Sequence, residues 1–119
     1  MTDTGPAGPS GGADRRSPRR RVLLTGVVAY ADLGVSFRCA IRDRSEGGAR
    51  LKLPDGLTVP NQFWLIDVAA ALAYEANAVW HRYPEVGVTL TNPVDLNPVG
   101  AEPQQRRLRA LWVEVAPRR

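Results

Sequence analysis

The chain has 119 residues, enough for one domain, and 44% of them are apolar, enough for a modest core. Its 16 Lys and Arg outnumber its 12 Asp and Glu, and Lys52 is the one lysine, so the net +4 points to an anionic partner met mainly by guanidinium forks. The single cysteine, Cys39, and the single histidine, His81, exclude an intrachain disulfide, a cysteine-rich metal site and a histidine cluster.

Residues 1–14, "MTDTGPAGPSGGAD", offer almost nothing to bury and read as a disordered tail without the apolar stretch of a signal peptide. No apolar run reaches bilayer length, so a soluble cytoplasmic protein without membrane insertion is expected. Next comes "RRSPRRR", five arginines in seven positions, from Arg15 to Arg21. By itself such a run suits a solvated tail, a phosphate backbone or a small anion, and GC-rich coding would also favour it.

From Val22 the pattern becomes β-like. "VLLTGVVAY" reads as a first strand, with Gly26 at a bend. "VSFRCAIR" alternates, putting Val35, Phe37, Cys39 and Ile41 on one face; Cys39 therefore reads as a small buried hydrophobe. "DRSEGG" reads as a loop, and "ARLKL" as a strand with Leu51 and Leu53 inward and Arg50 and Lys52 outward. "PDGLTVPN" is a connection. "QFWLIDV" and "YEANAVWHR" read as two strands joined by "AAAL", where a hairpin turn competes with helix. Trp64 and Trp80 read as core or rim residues, and His81 as a surface strand residue. "VGVTL" is the last expected strand, and "TNPVDLNPVGAEP" is turn-rich. Finally, Leu108, Leu111, Trp112 and Val115 make one apolar helical stripe suited to covering a barrel, with Pro103 in its first turn. Short strands with turn signals at intervals of roughly 8–12 residues predict a small antiparallel barrel or sandwich.

Two short motifs bear on function. Arg15 and Arg19 have the spacing R-x-x-x-R, as do Arg16 and Arg20, and Asp43, Ser45 and Gly48 have the spacing D-x-S-x-x-G. In this order, within an all-β pattern, the chain resembles the PilZ domain family, bacterial receptors for the second messenger cyclic di-GMP. "IRDRSEGGARLKLP", "AVWHR" and "VGVTL" extend the resemblance over nearly all of the folded part. It implies an all-β fold, a six-stranded antiparallel barrel over 15–91 with an N-terminal arginine arm, and a C-terminal segment, 92–119, with a helix at about 103–114. It also implies roles. Arg15 and Arg19 would contact guanine edges and phosphates, Asp43 would accept from a guanine, Ser45 would donate or accept nearby, and Gly48 would shape the loop. Arg16 and Arg20 are possible additional contacts.

Residue chemistry agrees with that ligand. Guanine presents O6 and N7 to an arginine fork and N–H donors to a carboxylate, so an aspartate beside arginines selects guanine where arginines alone would take most anions. Glycine allows close backbone approach and positive φ. No nucleophile–base pair, metal cluster or P-loop is legible, so no enzyme, metal or cofactor is expected. The expected partners are cyclic di-GMP and a downstream effector protein, with the chain a monomer or weak dimer. The rivals are a small-barrel nucleic-acid binder and a PilZ adaptor that binds protein without nucleotide.

Overall fold

The computed structural model describes residues 20–116, and for 20–22 the backbone alone. Arg15, Arg16, Arg19 and the tail at 1–14 lie outside the described residues. Six strands follow one another: β1 (Arg20–Ala29), β2 (Ser36–Ser45), β3 (Gly48–Lys52), β4 (Gln62–Asp67), β5 (Leu72–Arg82) and β6 (Glu85–Asp95). They close into an antiparallel barrel in the order β1-β2-β3-β6-β5-β4, and β4 pairs back onto β1. One helix, α1 (Pro103–Val115), ends the described chain. This is the six-stranded barrel with a C-terminal helix that the family resemblance implies, and it decides between the barrel and the sandwich that the residue pattern left open.

Two apolar clusters hold it. Val28, Cys39, Ile41, Leu51, Phe63, Leu65 and Val86 fill the barrel. Val27, Ala29, Trp64, Ile66, Ala73 and Leu96 form a second cluster with Leu108, on which Leu111, Trp112 and Val115 pack. β4 is therefore buried on both faces, which is why "FWLI" is continuously apolar rather than alternating. The helix stripe covers the barrel as expected, and Trp112 Nε1 donates to the Val68 carbonyl at 2.9 Å. Gln105 straps the helix start down, donating to the Asp95 and Pro98 carbonyls and accepting from the Gly100 amide.

Three local readings need correction. "DRS" is strand, not loop; only Glu46 and Gly47 form the turn, because Ser45 pairs directly with Gly48. Val35 precedes β2 and is 46% exposed, outside the inward face that begins at Phe37. β6 continues through "TNPVD" because Asn92 and Pro93 together oppose Tyr74 in a bulge. There Asn92 takes φ 53°, and the proline needs no ladder hydrogen bond. At "AAAL" the hairpin turn holds over the competing helix: Asp67 Oδ1 accepts from the Ala70 amide, and Ala71 takes φ 58°.

Cys39 faces the barrel interior, and burial pushes its thiol up to about 12 from an ordinary 9.0. Between those values the folded chain keeps a proton that the unfolded chain releases, so stability falls as pH rises through the window. Denaturant midpoints at about pH 8 and about pH 10.5 should fall less for Cys39→Ala than for the wild type. Equal pH slopes would show that the thiol is not protected.

Candidate functional site at the β2–β3 end of the barrel

The register aligns one cross-strand row over five strands. Arg21 of β1 lies opposite Asp43 of β2, Asp43 opposite Arg50 of β3, Arg50 opposite Gly87 of β6, and Gly87 opposite Trp80 of β5. Three bulges ring this row. Val22 and Leu23 together oppose Arg42, Arg42 is an extra residue relative to β3, and Val79 is an extra residue relative to β6. Strict alternation after Cys39 and Ile41 would turn Asp43 into the barrel. The bulge at Arg42 turns it instead to the outer face, beside Arg50 and across Gly87 from Trp80.

Asp43 is only 6% exposed. A buried carboxylate is tolerated when charge-paired and hydrogen-bonded. Arg50 meets that need: its Nε donates to Asp43 Oδ2 at 2.6 Å, and its Nη1 donates to Glu85 Oε2 at 2.5 Å. The hydrogen bond to Asp43, ahead of the other causes, holds the Arg50 guanidinium above its ordinary value.

The next residue, Arg44, takes the interior-facing position. It shares its row with Ala49, Val88 and Ala78, which line or adjoin the inner core. Its guanidinium donates to the carbonyls of Ser45 (2.9 Å) and Gly48 (3.3 Å) and to the Tyr74 hydroxyl (3.1 Å), with the cation 5.2 Å from the Tyr74 ring centre. The half-buried charge is thereby satisfied, and the Ser45–Gly48 turn is pinned from beneath. The glycine at 48 is required by packing: a Cβ there would lie 2.9 Å from the Val88 carbonyl oxygen. Positive φ is not the reason, since among the described residues the one glycine in that region is Gly56.

Asp43, Ser45 and Gly48 thus line one depression of about 90 Å³, together with Arg50, Val79, Trp80, Gly87 and Val88. Arg20 enters at backbone level, its Cα opposite Arg44, so the arginine segment joins the barrel alongside this depression. A wider hollow of about 420 Å³, running from Leu23 past Arg38 and Lys52 to Pro54, is lined by no carboxylate among the described residues.

Sequence reasoning missed Trp80, Arg50 and Gly87. Trp64 is core at 8% exposure, but Trp80 is 39% exposed and lies flat across the glycine. A Cβ at Gly87 would collide with Trp80 Nε1, so only glycine allows the indole this pose. The signal was present as "VW" followed by "VGV", but the pairing of Trp80 with Gly87 depends on the Val79 bulge. Arg82 stands 6.0 Å from the same ring, and His81 is an exposed strand residue. Gly87→Ala should push the indole off the strand, red-shift its fluorescence and leave the barrel's far-UV dichroism intact. An unchanged emission spectrum would contradict this placement.

The arrangement offers a carboxylate, a hydroxyl and an exposed aromatic face around one shallow depression, with cations at its edge. It suits a planar, hydrogen-bonding, anionic ligand. Among the described residues, no three His, Cys, Asp or Glu side chains converge to hold a metal, and no helix is long and apolar enough to cross a membrane.

Comparison with known proteins agrees with this architecture. The PilZ domain family model matches residues 13–101. A solved PilZ domain of CeSA from a cellulose-synthesizing bacterium superposes with a TM-score of 0.51 at 16% identity, covering 82% of this chain and 94% of that one. The Bacillus subtilis inhibitor of motility, MotI/DgrA, superposes with a TM-score of 0.53 at 16% identity, covering 86% of this chain and 51% of that one. No curated protein matches the chain. With three quarters of its length matched by the family model and the barrel shared with solved members, the chain belongs to the PilZ domain family.

Proposed function

We propose that this chain is a cyclic di-GMP receptor, non-catalytic and cytoplasmic, that passes its signal to a partner protein. The observation that carries the reading is the register: the root of the arginine segment runs beside the strand that bears Asp43 and Ser45. One ligand at that end can therefore meet both motifs. Arg15 and Arg19 grip guanine edges and phosphates, and Asp43 accepts from guanine N–H groups. Ser45 bonds nearby, and Gly48 keeps the turn tight against β6. Arg16 and Arg20 are available as further cations. Trp80 adds a face on which a purine stacks.

Binding closes the arginine arm onto the barrel. Ordering that arm lowers the net affinity and makes the closed arm a surface that exists only with ligand. A partner that reads this surface completes the signal. Of the similar solved structures, one is from a cellulose-synthesizing bacterium and the other is an inhibitor of motility.

Calorimetric titration with cyclic di-GMP, cyclic di-AMP and single-stranded DNA tests the reading. Saturable binding of cyclic di-GMP, weaker binding of cyclic di-AMP and no competition by DNA are expected. Steeply salt-dependent binding of DNA that cyclic di-GMP fails to displace would support the nucleic-acid reading instead.

A further inference from the structure

Glu85 opens β6 among cations. Its Cα lies opposite Arg82 on β5 and Lys52 on β3, and its Oε2 accepts from Arg50 Nη1. What it does is occupy the outer end of the Arg50 fork. The two ends of that fork differ. The Nε end sits on Asp43, whose side chain is 9% exposed, while the Nη1 end sits on Glu85, whose side chain is 32% exposed. A pair that open to water is held weakly and exchanges readily; a buried one is retained. The residue that lines the ligand depression is Arg50, not Glu85. A phosphate offers a guanidinium the same paired oxygens that a carboxylate does.

We propose that Glu85 is an affinity-setting residue whose carboxylate stands where a ligand phosphate would bind Arg50. On binding, the Nη end of Arg50 passes from Glu85 to the phosphate while Nε stays on Asp43. The inference rests on the receptor reading above. It adds a phosphate-binding cation that belongs to the barrel rather than to the arginine arm, with its own internal competitor. Glu85 thereby sets how much ligand is needed before the site fills.

The test is a double-mutant cycle read by calorimetry with cyclic di-GMP at one fixed salt concentration. Glu85→Gln keeps the shape and removes the competing charge, and should tighten binding by about three- to tenfold. Arg50→Gln should weaken it. With Arg50→Gln already present, Glu85→Gln should change affinity by less than about twofold, because Glu85 acts through Arg50. The same gain from Glu85→Gln in both backgrounds would mean a general field effect and would overturn the proposal, as would no gain in the wild-type background. Thermal melts report whether each variant folds. If Arg50→Gln does not fold, the cycle is run with Arg50→Lys, which keeps the charge and loses the fork; Glu85→Gln should then gain less than it does beside arginine, and an equal gain overturns the proposal. Absence of any wild-type binding would overturn the ligand assignment and this inference together. Wild-type binding with additive mutants would overturn this inference alone.

Discussion

Alanine at both Arg15 and Arg19 should reduce cyclic di-GMP affinity by roughly 2–6 kcal/mol, about thirtyfold to 10⁴-fold, at one to three kcal/mol for each bidentate arginine–guanine contact. The two residues share one ligand, so the double variant need not equal the sum of the singles. They precede the first residue of β1, and the barrel's melting temperature should hardly move. Calorimetry and a thermal melt on the same samples check both halves. Loss of binding on Arg16→Ala and Arg20→Ala, with Arg15 and Arg19 variants unaffected, would shift the motif by one residue. Retained affinity in all four would remove the arm from the site.

Asp43→Ala should act twice. Cyclic di-GMP loses the acceptor for its N–H donors, while cyclic di-AMP, whose base offers a different edge, loses less; equal losses would count against a role in reading guanine. The variant should also melt lower. Its removal leaves Arg50 with Glu85 as the remaining ion-pair partner among the described residues and takes the acceptor from a half-buried donor, at about 1 kcal/mol. An Asp43 held in a loop would show only the binding effect, whereas this one sits in β2 at 6% exposure. Asp43→Asn preserves volume and one acceptor, and should recover stability better than selectivity. Denaturant titration alongside the two nucleotide titrations separates these effects.

The strands were legible because they alternate where one face is wet, though the alternation alone left barrel and sandwich open. "SFRCAIR" and "ARLKL" show period two, and their inward residues Cys39, Ile41, Leu51 and Leu53 are buried as that period requires. The helix stripe was legible for the same reason at period 3.6. "TNPVD" was not, because proline and asparagine signal a turn whether they end a strand or sit in a bulge within it. The pose of Trp80 was not legible either, because it comes from Gly87, a residue on another strand.

The sequence by itself determined the class of fold and the two motifs. Apolar period, turn residues and the chemistry of arginine, aspartate and serine are local properties that survive without coordinates. Which way Asp43 faces, that Arg50 and Glu85 hold one charge network, and that an indole lies over a glycine were decided only by the tertiary structure. The first and third depend on one-residue bulges, at Arg42 and Val79, and a bulge exists only relative to the neighbouring strand; the second depends on the register of β3 against β6. With a side-chain period of two, one extra residue moves everything after it to the opposite face, and no property of the residue itself announces it.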